Sequence, residues 1–132
     1  MNKRGWLIPI AIVAVNALAI ICCWKSLPDP LPAHYDLQGS PDGVMQRGVL
    51  SIYPLIGAVI CLAAYMIARI KSSLQSALII LTSGVCLVIL SSSLVSLTFG
   101  KIPLFMLAEP VILLIAVAAS VISILKSRKQ NK

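Results

Sequence analysis

The residues of this 132-residue chain best suited to chemistry are crowded into one stretch. Asp29, His34, Asp36, Asp42 and Arg47 all fall in Leu27–Arg47, which holds three of the four acidic residues and the only histidine. His34 and Asp36 are two positions apart, so in an extended segment they point the same way. Asp29 and Asp42 converge on them if the chain folds back at Gly39. One imidazole and several carboxylates form a donor set that zinc or another divalent cation accepts, with His34 and Asp36 as the candidate ligands. The spacing matches no standard zinc site, EF-hand loop or HExxH helix. In the alternative reading the same groups build a cap. Asp36 and Asp42 accept backbone N–H groups at turns, His34 bonds a carbonyl or carboxylate, and Arg47 closes the network by a bidentate pair with an aspartate. Acid/base catalysis would also need a nucleophile and a pocket, and neither is marked. A Ser/His/Asp arrangement, a phosphate-binding glycine loop and a dinucleotide fingerprint are all absent from the sequence. The expectation is a non-enzymatic protein without metal or other cofactor.

The elements that must position these residues are apolar. Of all residues 59% are hydrophobic and 11% charged, against about 25% charged in soluble domains. Four apolar runs, Trp6–Trp24, Leu50–Ala68, Leu74–Phe99 and Leu104–Leu125, contain one acid, Glu109, and no basic residue. Each is near or above the roughly 20 residues that cross a bilayer. Hydrocarbon offers nothing to an unpaired backbone group, so the runs should be helices. The prediction is an all-α membrane protein with a single membrane domain over 1–132. Its four transmembrane helices cover approximately 6–24, 50–68, 74–99 and 104–125, with an ordered extracytoplasmic loop, 25–48, between the first two. Lys3 and Arg4 ahead of an apolar core resemble a signal peptide, but Ile20–Trp24 carries the run past the Ala17-Leu18-Ala19 site, so this run is read as a span.

Charge orients the spans. With the N-terminus inside, eight basic residues lie inside (Lys3, Arg4, Arg69, Lys71, Lys126, Arg128, Lys129, Lys132) and three outside (Lys25, Arg47, Lys101). The positive-inside rule then places both termini in the cytoplasm and the protein in the cell (inner) membrane. The lipid bilayer is thus the first partner, and the tail from Lys126 is suited to anionic headgroups. Nucleic acid is excluded, because the basic residues are split among short separate segments.

The 25–48 loop exceeds the usual helix–helix connection of about 2–8 residues. Pro28, Pro30, Pro32 and Pro41 stiffen it, so Leu27–Ala33 should be an extended rod. Ser40-Pro41-Asp42-Gly43 has the residue order of a tight turn. Leu27, Leu31 and Tyr35 are apolar enough to lay the loop on the bundle.

Within the spans, Glu109 is a carboxylate five residues inside the fourth run, beside the helix-kinking Pro110. The nearest unassigned partners on the same side are Arg47 and His34. Asn16 sits mid-span and should bond across helices. Gly57, Cys61, Ala64 and Ala68 form a small-residue stripe for close packing, and Ser91–Ser93 with Ser96 form a polar patch. Cys22, Cys23, Cys61 and Cys86 lack a CxxC pattern and read as small apolar fillers.

The order Leu27-Pro28-Asp29, Leu31-Pro32, His34-Tyr35-Asp36, Gly39, Pro41-Asp42-Gly43 and Arg47 resembles the signature of the bacterial family called domain of unknown function 1648. That pattern runs from a Trp through LPxxIPxHF to GxPDGW and a basic residue. Trp24 and Pro54 also fit, whereas Val44 stands where the family usually has Trp. The likeness spans about Trp6–Ala68. It implies kinship with the N-terminal part of SdpI-like immunity and signalling membrane proteins, which are longer. The sharp functional expectation is therefore recognition, by the outer loop, of a peptide toxin, an envelope component or a membrane-protein partner. The residues expected to carry it are Asp29, His34, Tyr35, Asp36, Gly39, Asp42 and Arg47. A small ion- or proton-coupled transporter using Glu109 and His34, as a homo-oligomer, is the second reading. A membrane metal-dependent enzyme is the third.

Overall fold

The computed structural model describes residues 3–36, 40–98 and 104–130. Helix α1 (Leu7–Cys23) is followed by a hairpin of β1 (Leu31–Tyr35) and β2 (Pro41–Met45). A 3-10 turn, Arg47–Ser51, then opens α2 (Ile52–Ile70). Helix α3 (Gln75–Leu97) and helix α4 (Leu104–Gln130) complete the chain. Four helical segments are long and apolar enough to cross a membrane: Arg4–Ser26, Arg47–Ile70, Ser72–Leu97 and Glu109–Lys126. Their outward surfaces are apolar, with Leu7, Leu62 and Leu114 exposed, as a lipid-facing bundle requires. Helix α4 continues through Pro110.

Lipid tails are as apolar as leucine, so burial in hydrocarbon does not drive these helices together; close packing does. The buried residues of α2 are Gly57, Cys61, Ala64 and Ala68, the stripe expected from sequence. At Gly57 three helices meet: a side chain there would run into Val13 of α1 and reach Cys86 of α3. Helices α3 and α4 run antiparallel in a register marked at three levels. Ser120 Oγ donates to the Ala77 carbonyl (3.3 Å), Gly84 faces Ala116, and Ser92 meets Glu109. In the polar patch on α3, Ser92 bonds across to α4 as the patch was expected to do, whereas two other serines do not. Ser93 and Ser96 donate back to the Ile89 and Ser92 carbonyls of their own helix, which satisfies them without a partner helix. Asn16 is buried at 1% exposure, but its Oδ1 has no hydrogen-bond partner, so this oxygen makes no interhelical bond.

The α3–α4 register depends on Gly84. A Cβ there would collide with the Ala116 Cβ, and overpacking of this kind costs about 1–3 kcal/mol. Gly84→Ala should lower stability by that amount in reversible detergent unfolding, and Ala116→Gly in the same chain should recover most of it. An unchanged midpoint for the single variant would refute the crossing.

Candidate functional site at the hairpin end of the bundle

The described part of the 25–48 segment is a folded cap. Asp36 closes it at the tip: its Oδ1 accepts the Ser40 N–H (2.7 Å), and its own N–H donates to the Ser40 carbonyl (2.9 Å). The strands are antiparallel: Leu31 pairs with Met45, Pro32 with Val44, His34 with Gly43 and Tyr35 with Pro41. This corrects the expected Ser40–Gly43 turn, because Pro41, Asp42 and Gly43 belong to strand β2. The expected rod is extended from Leu31 onward. Asp42 lies exposed on β2.

The base of the cap is tied by Arg47. Its backbone N–H, the first donor of the 3-10 turn, is accepted by Asp29 Oδ1 (3.2 Å). Helix starts leave such donors without intrahelical acceptors, and here the acceptor comes from 18 residues upstream. The Arg47 guanidinium donates to the Leu27 carbonyl (3.3 Å) and lies 5.1 Å from the centre of the Trp24 ring. It thus joins the end of α1 to the start of α2 through a hydrogen bond and a cation–π contact, the latter worth about 0.5–1 kcal/mol at such sites. The bidentate aspartate pair expected of Arg47 is replaced by these two contacts. Below the latch, Leu31 and Leu50 are fully buried at 0% exposure and pack with Ile20, Leu27, Trp24, Tyr53 and Leu97. Leu27 and Leu31 therefore lay the cap on the bundle as expected.

The side chains of His34 and Tyr35, and all of Gly39 and Lys101, lie outside the described residues. Among the described residues no group of three or more His, Cys, Asp or Glu is placed to hold a metal ion. Asp36 commits an oxygen to a backbone N–H, the role the cap reading gave to it and to Asp42, and Asp29 does the same at the base of the cap. Glu109 is half-buried, and its Oε1 accepts from Ser92 Oγ at 2.9 Å. The described partner is thus a serine of α3, not Arg47, whose guanidinium is engaged in the latch. The same hydroxyl also lies 3.1 Å from the Val88 carbonyl. Ser92 was legible only as part of a serine patch, and its pairing depends on the α3–α4 register.

Arg47→Met and Trp24→Leu should each open the latch. A loss of about 1–2 kcal/mol corresponds to a 5–30-fold change in opening, readable as faster cleavage of the cap by a soluble protease in nanodiscs. The double variant should fall short of additivity, since one contact is shared. Arg47→Lys should not rescue, because an ammonium lacks the planar fork that bonds and stacks together. Full additivity would show that the two residues act separately.

Residues 11–58 match the family model described as Domain of unknown function (DUF1648). Neither the curated proteins nor the solved structures yield a significant match. The matched segment is also a structural unit: most of α1, the whole hairpin with its Arg47 latch, and the first turns of α2 through Ala58. The bundle end just described is therefore the part of the chain that is similar to the DUF1648 family.

Proposed function

We propose that this small multi-pass membrane protein is a recognition protein. Its cap binds an extended segment of a peptide toxin, an envelope component or a membrane-protein partner at the outer face of the cell membrane. One observation carries the reading. The hairpin is anchored from below by two fully buried leucines, yet β2 presents Val44 at 73% exposure on a sheet of two strands. A short sheet held rigid with an open edge is the geometry that peptides use for strand addition, main-chain bonds giving affinity and side-chain contacts giving selectivity. The basic asymmetry supports a cap on the outside with both termini in the cytoplasm. Immunity or signalling of the SdpI type is the specific role this supports.

A transporter reading is favoured by a different observation, the Ser92–Glu109 pair inside the bundle. A carboxylate at membrane depth that faces a neighbouring helix is a common element of proton and cation pathways.

The two readings separate in cells. Overexpression should raise the dose of a membrane-active peptide toxin that halts growth. Val44→Pro, which disrupts the β2 edge while leaving the latch in place, should abolish the protection. A cysteine at exposed Asp42 in a cysteine-free background should be labelled on intact cells by an impermeant maleimide. Protection unaffected by Val44→Pro, or labelling only after permeabilisation, would contradict cap recognition. Unchanged toxin sensitivity with altered ion flux, lost in Glu109→Gln, would favour transport.

A further inference from the structure

The end of the bundle opposite the hairpin carries a second feature, independent of the cap. Between the start of α3 and the last turns of α4 lies a cavity of about 450 Å³ lined by Ser72, Ser73, Ser76, Ser123 and Lys126. Ile80, Ala119 and Ile122 complete its lining. Ile80 and Ala119 also line a second cavity of about 400 Å³, which continues along the α3–α4 seam past Gly84 to Leu87, Ile112 and Ile115. The two cavities thus adjoin at Ile80 and Ala119 as a groove along the seam, one part hydroxyl-rich and cationic, the other apolar.

Its dimensions and charge indicate an occupant. Ser76 to Leu87 is 11 residues of α3, about 16 Å at 1.5 Å per residue. One leaflet of hydrocarbon is about 15 Å deep, half of the usual core. The acidic residues of the chain are Asp29, Asp36, Asp42 and Glu109, all toward the hairpin end. Around the hydroxyl-rich part, Lys126 lines the cavity, and Lys71 adjoins Ser72 in sequence. We infer that the groove is a binding site for one anionic phospholipid. The phosphate sits among the serine hydroxyls and Lys126, and one acyl chain lies along Ile80, Ala119 and Leu87. Charge-assisted bonds from a lysine and neutral bonds from hydroxyls are the usual way a phosphodiester is held. The apolar stretch distinguishes a lipid from a free phosphate, which has nothing to place there.

The test uses the full chain, released from detergent for native mass spectrometry after equilibration with phosphatidylglycerol or phosphatidylcholine. The expected result is retention of one phosphatidylglycerol per chain in clear preference to phosphatidylcholine. Lys126→Gln should weaken phosphatidylglycerol retention about fivefold, the factor expected for one cation near an anionic headgroup. Ala119→Trp should fill the groove and abolish retention of both lipids. Ala58→Trp, in a separate groove between α1 and α2, should change nothing. Circular dichroism of each variant checks that the helices persist, and Lys126→Gln, an exposed substitution, tests the site even if Ala119→Trp does not fold. Equal retention of the two lipids would overturn the inference, as would an effect of Lys126→Gln below twofold. Equally tight binding of soluble glycerol phosphate would assign the hydroxyl-rich part to a free phosphate instead. A dimer whose formation excludes lipid would assign the groove to a second copy of the chain.

Discussion

Hydrocarbon has no hydrogen-bonding partner to offer, and that constraint orders this structure. Each backbone N–H and C=O within the bilayer must be satisfied by its own helix. The apolar runs accordingly become α1 to α4, and the hairpin and its turns collect at one end of the bundle. The same constraint acts on side chains. Ser93 and Ser96 return their hydroxyl protons to their own helix, and Glu109 meets Ser92. Among the described residues Trp6 Nε1 and Asn16 Oδ1 are the exceptions, both buried without a hydrogen-bond partner.

Two kinds of cohesion follow. Inside the membrane, small residues decide: Gly57 against Val13 and Gly84 against Ala116 set how closely the helices approach. At the cap, where water competes, apolar burial regains its force. Leu31 and Leu50 lose all their exposure there, an effect worth about 1.5–3 kcal/mol per side chain. Arg47 works at the boundary, holding Leu27 and Trp24 while its backbone uses Asp29. The cap is therefore held from below by apolar packing and at its base by polar contacts. Its exposed β2 edge remains available on the other side.

Much of this was legible in the sequence, and what was not shares one cause. The span from Leu7 to Cys23 falls inside the apolar run Trp6–Trp24, and the α2 stripe is the set of residues that α2 buries. Both are local patterns with a fixed period. The turn was misplaced: Pro41 and Gly43 carry a strong turn signature but lie in strand β2, and the Asp36 carboxylate captures the Ser40 N–H ahead of it. The aspartate partner expected of Arg47 was misassigned, and Ser92 as a partner of Glu109 was missed, for a related reason. Leu27 is 20 residues from Arg47, and Ser92 is 17 from Glu109. Charge complementarity suggested aspartates and cations, but helix register and ring placement decided for a carbonyl, an indole and a hydroxyl. The positions of the His34 and Tyr35 side chains lie outside the described residues.

The central claim is that the segment between α1 and α2 is a folded, latched unit and not a tether between spans. Amide hydrogen exchange of the full chain in nanodiscs tests it most directly, since exchange reports local opening free energy. The account predicts slow exchange through β1 and β2 and at the Ser40 and Arg47 amides, whose acceptors are Asp36 and Asp29. Exchange at the unprotected rate from Leu31 to Met45, with α1 and α2 still protected, would contradict it.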